Sequence, residues 1–155
     1  MYKPLGVGTV TRNISTFIGL WTITREITDF SGGPNAQLTG RCDFVAEGAG
    51  LTQAEVGTLQ VMGSSTALKA ERRYRWQAQG EVIAVFFDDG RFFHAFDPRG
   101  EEAQAEHDCP PDRYEVRYTF GVGELTAWTV EWRVRGPRKD YLSVTHFSRA
   151  VAHGA

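Results

Sequence analysis

The stretch from Arg72 to Tyr114, RRYRWQAQGEVIAVFFDDGRFFHAFDPRGEEAQAEHDCPPDRY, holds the side chains of this sequence best suited to chemistry. Arg72 supplies a permanent cation, Tyr74 a hydroxyl and His94 an imidazole, set among Trp76, Phe87 and other aromatic residues. A guanidinium grips a carboxylate or phosphate through two parallel hydrogen bonds. An imidazole changes charge near neutral pH and can act as acid, base or ligand. Alternation elsewhere in the chain adds Arg25, Asp29, Glu55, His107 and Tyr118 to the polar groups expected to point inward.

Buried charges are costly unless paired, so two readings of this set stand side by side. In one, Arg25 or Arg72 pairs with Asp29 or Glu55 and the network braces a packed interior. In the other, one arginine is left to hold an anionic group against aromatic walls, which describes a pocket for an amphipathic acid. The residues nominated for ligand binding are Arg72, Tyr74, Trp76, Phe87, His94, His107, Tyr118, Arg25 and Glu55. No catalytic residue is assigned.

Several chemistries are excluded or unsupported. His107 and Cys109 lie on one strand face without a second pair at finger-like spacing, so no metal site is expected. No c-type attachment motif supports a haem on His94 or His107, and no cofactor is expected. Ser64, Ser65, Ser143 and Ser148 lack a GxSxG elbow. Gly6-Val7-Gly8 and Gly121-Val122-Gly123 precede no helix and are not phosphate loops. Arg135, Arg138 and Lys139 cluster at a turn, as a solvated loop or as a positive rim that guides acids.

The elements that must position these groups read as strands. Gln79-Gly80 and Asp89-Gly90 are turn signals flanked by β-branched and aromatic residues. Two-residue turns there would set Trp76 opposite Ile83, Tyr74 opposite Val85 and Arg72 opposite Phe87. Beyond the second turn, Asp88 would face Arg91, Phe87 would face Phe92, Val85 would face His94 and Ile83 would face Phe96. One face of this meander then carries Arg72, Tyr74, Trp76, Phe87, Phe92 and His94.

Elsewhere, Trp21, Ile23, Arg25, Ile27 and Asp29 share a face, as do Leu38, Gly40, Cys42 and Phe44. Residues 51–62 alternate poorly: either Leu51, Gln53, Glu55, Gly57 and Leu59 point inward, or the intervening residues do. The cleanest alternations are Tyr114 to Phe120 and Trp128 to Val134. A short helical turn at residues 14–19, capped by Asn13 or Ser15, precedes the first strand, and residues 1–13 form an extended arm. Nine or ten strands at regular spacing, without a long helix, predict an all-β fold. The architecture expected over residues 1–155 is a single antiparallel up-and-down β-barrel domain of about 8–10 strands.

Composition agrees with a soluble chain of this kind. Its 155 residues are 41% hydrophobic and 23% charged, with a net charge of −2. No basic excess favours nucleic acid, and no run of about 18 apolar residues predicts a membrane span. The opening MYKPLGVGTVTRN lacks an apolar signal segment, so a cytoplasmic location with Cys42 and Cys109 reduced is expected.

Two sets of residues carry a resemblance. Gly19-Leu20-Trp21, after its short helical turn, resembles the Gly-X-Trp motif of lipocalins. That resemblance implies a Trp21 that closes the barrel floor against an arginine after the last strand, where Arg149 stands, through a cation–π contact. The chain is also similar to an uncharacterised bacterial and fungal family of lipocalin-like domains. The similarity runs through DGRxFH at Asp89–His94, HxC at His107–Cys109, DxY at Asp112–Tyr114 and GPRKDY at Gly136–Tyr141. It spans nearly the whole chain and brings no activity with it.

The functional expectation is a lipocalin-like barrel that holds a small hydrophobic or amphipathic, acidic ligand. The alternative is a decarboxylase- or isomerase-like enzyme in the same barrel, with Arg72 holding a carboxylate, Tyr74 orienting it and Glu55 moving a proton. A barrel filled throughout, serving as an interaction module, is the third reading.

Overall fold

A computed structural model describes residues 12–150; most of the expected N-terminal arm lies outside the described residues. A 3-10 helix, Ile14–Phe17, is capped by Asn13, whose side chain accepts the Ser15 N–H. Ten strands follow: β1 Gly19–Asp29, β2 Ala36–Glu47, β3 Gly50–Val61, β4 Ala67–Gln79, β5 Val82–Phe87, β6 Phe92–Phe96, β7 Glu102–Cys109, β8 Asp112–Thr119, β9 Ala127–Arg135 and β10 Asp140–Arg149. Sequence neighbours pair antiparallel except β6 and β7, and β1 also pairs with β10. The sheet curls into a nearly closed up-and-down barrel. Its seam falls between β6 and β7, which share no ladder among the described residues.

The alternations mark the inner face well. In the uncertain strand β3 it is Leu51, Gln53 and Glu55 that are buried inward. The meander departs from its expected register twice. The first turn is built on Gly80-Glu81, so Gln79 pairs with Val82, Trp76 with Val85 and Tyr74 with Phe87. Gly80 takes φ +64, while among the described residues none other than glycine has positive φ. Glycine is therefore the first central residue of the turn rather than the second. The resulting slip is two residues, which leaves every side chain on its expected face.

The second departure changes a face. Val85 pairs with His94 and Ile83 with Phe96 as expected, but a β-bulge after Val85 sets Phe86, not Phe87, opposite Phe92. Asp89 draws the turn tight by accepting the Arg91 N–H at 3.0 Å and its Nε at 2.8 Å. Phe87 N–H then reaches the Arg91 carbonyl, and one residue of β6 is left over. Such an extra residue re-aims its neighbours. Phe92 is 51% exposed, whereas Phe93 is buried at 1%. The expectation that Phe92 faces inward is thus reversed.

One end of the barrel is a packed floor. Trp21 and Phe17 are fully buried, and the Trp21 Nε1–H donates to the Phe17 carbonyl at 2.9 Å. Arg149, the register partner of Trp21, lies 4.0 Å over its ring and donates to the Ile18 and Thr16 carbonyls. Gly19 has φ +125, and a Cβ there would sit 2.8 Å from Arg149 Nη1, so the glycine makes room for the guanidinium. Trp128 stacks on Phe147 at 3.9 Å, and Phe44 meets Trp76 edge-on at 4.7 Å. Arg12 closes the floor beside the seam. It is 3% exposed and donates to the Pro98 carbonyl of the β6–β7 loop and the Gly123 carbonyl of the β8–β9 loop.

Candidate functional site

Above the floor the interior turns polar. Arg25 of β1 donates through Nη2 to both oxygens of Glu55 at 2.9 and 3.1 Å, and its Nε donates to Thr145 Oγ1 at 2.7 Å. Glu55 also accepts from Gln53 Nε2 at 3.0 Å, and Gln53 Oε1 accepts the Trp76 indole N–H at 2.8 Å. The two strands that carry the ion pair flank β2, whose inward residues Gly40 and Cys42 are small enough for the long side chains to meet across them. Both charges are 5% exposed or less. Every nitrogen and oxygen named here is partnered, as an ion pair in a low-dielectric interior requires.

On the opposite wall His94 Nε2 and the Tyr118 hydroxyl lie 2.6 Å apart. His94 is 2% exposed, and burial pushes its pKa down to about 3, so the ring is neutral. Burial raises the Tyr118 hydroxyl well above its ordinary range, keeping it protonated. The hydroxyl hydrogen has the imidazole nitrogen as its partner, which leaves the remaining proton on His94 Nδ1. Among the described residues that nitrogen has no hydrogen-bond partner, nor does the Trp128 Nε1. A narrow void of about 30 Å³ lies among these groups, lined by His94, Tyr118, Trp128, Arg25 and Glu55. It has room for a water molecule or two and no more.

The other end of the barrel is open. A cavity of about 320 Å³ at the mouth is walled by Ile27, Leu38, Leu59 and Ala70, with Arg25 and Glu55 at its base and Arg72 at its side. Arg72 stands opposite Glu55 in register, yet Glu55 is taken by Arg25. The Arg72 guanidinium instead lies 5.3 Å over the Trp132 ring. No carboxylate among the described residues is in salt-bridge contact with it. Burial raises the Tyr74 pKa, and the charge of Arg72 pulls the other way.

The nominated residues therefore divide by depth. Arg25 and Glu55 are the brace, and Trp76 belongs to the floor and its hydrogen-bond chain. His94 and Tyr118 pair in the middle layer. Arg72 and Tyr74 sit at the mouth with Phe87 and His107, both half-buried. Asp29, expected to balance an arginine, accepts from Ser31 N–H and Oγ and takes no part in the interior network. Cys109 is exposed while His107 turns towards Phe93, at 5.3 Å between rings. Of the basic cluster, Arg135 pairs with Glu115 and Lys139 with Asp112, the latter joining the DxY and GPRKDY segments at one corner.

Phe93, Gln53, Thr145, Trp128 and Trp132 were not nominated, though all line the void. Trp128 and Trp132 stood on a cleanly alternating run, and Gln53 on one of the two faces left open for residues 51–62. Phe93 carried no such signal, because only the bulge turns it in.

Fold and interior define a class first: an all-β barrel with a packed aromatic floor, a braced polar middle and a mouth open around an unpaired arginine. Within that class the chain belongs to the family of unknown function DUF6314, whose model matches residues 17–149. No match is found among curated proteins. The structure is similar to that of the S-type phycobiliprotein lyase CPES from Guillardia theta. The TM-score is 0.63 at 7% sequence identity, over 90% of this chain and 91% of that chain. At that identity the likeness is one of fold.

Proposed function

We propose that this protein is a lipocalin-like binding barrel that takes a small amphipathic acid into its mouth, with the acid group on Arg72. The observation that carries the proposal is the coincidence of Arg72, an inward arginine with neither a carboxylate nor a carbonyl partner among the described residues, with a cavity of about 320 Å³ whose walls include Ile27, Leu38, Leu59 and Ala70. That volume lies at the lower end of the roughly 300–1,000 Å³ found for small-molecule sites. Trp132 lies beneath the guanidinium, and Arg72 lines the cavity.

The floor supports the lipocalin-like part of the reading, because Gly19, Trp21 and Arg149 meet as the motif requires. The fold shared with a phycobiliprotein lyase supports it at the level of scaffold alone, since one fold hosts unrelated functions. Two free thiols, one buried and one exposed, go with a reducing, cytoplasmic setting and one binding domain. Glu55 has both oxygens engaged by Arg25 and Gln53, which leaves it poorly placed to move a proton and favours binding over the enzymatic alternative.

Calorimetric titration with decanoate and its methyl ester tests the proposal. Decanoate should bind the parent protein about ten-fold or more tightly than the ester, the worth of a charge-assisted hydrogen bond. Arg72→Leu should abolish the difference. Equal affinities for acid and ester, or no saturable binding of decanoate, would overturn the reading.

A further inference from the structure

The narrow void and the mouth cavity share Arg25 and Glu55 as lining residues, so they adjoin. The layer that parts them is uneven in strength. On the β1–β3 side it is the hydrogen-bonded ion pair. On the β4, β6 and β9 side the void is walled by rings, Tyr74, Phe93 and Trp132. Phe93 meets Trp132 at 5.2 Å and Tyr74 at 6.3 Å, and stacks on Phe87 at 4.6 Å, while Trp132 in turn carries the Arg72 guanidinium. Phe93 stands on a five-residue strand that is bulged towards β5 and unladdered towards β7. The seam beside it is tied at the floor end, by Arg12, and by rings higher up. Phe93 can therefore swing without breaking a β6–β7 backbone hydrogen bond, whereas Arg25 and Glu55 cannot part without unpairing two buried charges.

Behind that layer are two hydrogen-bonding groups with no partner among the described residues. With Tyr118 donating to His94 Nε2, both His94 Nδ1–H and Trp128 Nε1–H are unmatched donors. The opposite tautomer would leave three unmatched groups, adding the Tyr118 O–H. Unmatched buried donors are rare in folded proteins and mark a place where a water or ligand oxygen belongs. By register, His94 is level with Val85 and Trp76, four residues deeper along the wall than Arg72. That is roughly 13 Å at the usual strand rise.

We infer that Phe93 is a plug over a second, inner subsite, where His94 and Trp128 hold an oxygen acceptor at the far end of a ligand whose acid group rests on Arg72. The inference rests on the reading of the mouth as an acid site and narrows the ligand to a class. It is an elongated apolar acid with a hydroxyl or carbonyl oxygen about one barrel layer from its opposite end. In the unliganded barrel a water takes that oxygen's place.

Two probes separate the claims: hexanoate, which reaches only the mouth, and a twelve-carbon ω-hydroxy acid, which spans both levels. The readouts are calorimetric affinity and the imidazole ¹⁵N–¹H resonances of His94 in histidine-labelled protein. Both acids should bind the parent protein and lose affinity in Arg72→Leu. The hydroxy acid alone should shift the His94 Nδ1–H resonance. Phe93→Ala should tighten the hydroxy acid about ten-fold or more, since the plugged state no longer has to open, and leave hexanoate unchanged. If both acids bind through Arg72 but the His94 resonance stays put with the hydroxy acid, the inner subsite is refuted and the mouth site stands. If neither acid binds, the mouth reading fails and the subsite falls with it. The resonance test needs only the parent protein, so an unstable Phe93→Ala does not protect the inference.

Discussion

The two ends of the barrel are built from the same alternating strands and end up in opposite physical states. At the floor, Trp21 and Phe17 meet Trp128 edge to face, and Arg149 spends its donors on backbone carbonyls. At the mouth, Arg72 keeps a free fork, Phe87 and His107 are half-buried, and aliphatic residues line an empty space. Both ends hold an arginine over a tryptophan, Arg149 on Trp21 and Arg72 on Trp132. What separates them is whether the remaining donors are satisfied by the protein. A satisfied arginine is part of the fold, and an unsatisfied one at an opening is available to a ligand.

The contrast breaks down if the floor proves dispensable, so the largest effect is expected there. Trp21→Ala should destabilise by about 3–5 kcal/mol, read from urea unfolding. An unchanged midpoint would mean that the floor is not where stability resides.

Next comes the brace between the two ends. Glu55→Leu should cost about 3 kcal/mol or more, because Arg25 is left buried and uncompensated. Adding Arg25→Met should recover most of the loss. If the single variant is harmless, the interior is wetter than its burial implies.

A smaller effect depends on pH. His94 is held neutral when folded, with a pKa depressed to about 3, whereas an unfolded histidine titrates near 6.5. Between those values the unfolded chain binds the extra proton. Stability should be full above pH 6.5 and fall as the pH drops, with a slope approaching about 1.4 kcal/mol per pH unit. Comparing unfolding free energies at pH 7 and 5, His94→Gln should lose about 1–2 kcal/mol less than the parent protein. Parallel losses would place the acid sensitivity elsewhere.

The smallest change sharpens the comparison most. Arg72→Leu should alter stability by less than about 1 kcal/mol, the worth of a partly exposed cation–π contact. A loss as large as that at Trp21 would make the mouth arginine a second brace.

Much of this contrast was legible in the residues. The Trp21–Arg149 pair follows from a short motif at one end of the chain and one residue at the other. Arg72, Tyr74, His94 and Tyr118 were placed inward by alternation, and an error of two residues in the first turn did them no harm because side chains repeat every second residue. The choice of partner for Glu55 was not legible. Arg72 is its cross-strand neighbour, yet Arg25 takes it, because small residues on β2 let Arg25 reach across. Phe93 was missed for a local reason, since a bulge adds one residue and one residue is enough to exchange the faces of a strand.

By itself, then, the sequence determined the strands, most of their inner faces, the antiparallel order and the Trp21–Arg149 pair at the floor, which depend on period-two patterning, turn residues and short motifs. Only the tertiary structure decided which arginine is spent in a brace and which is free, which ring plugs the interior, and which buried donors go unmatched. Those outcomes turn on reach and crowding across a closed sheet, where distances of a few ångströms between strands far apart in sequence choose between partners of the same chemical type.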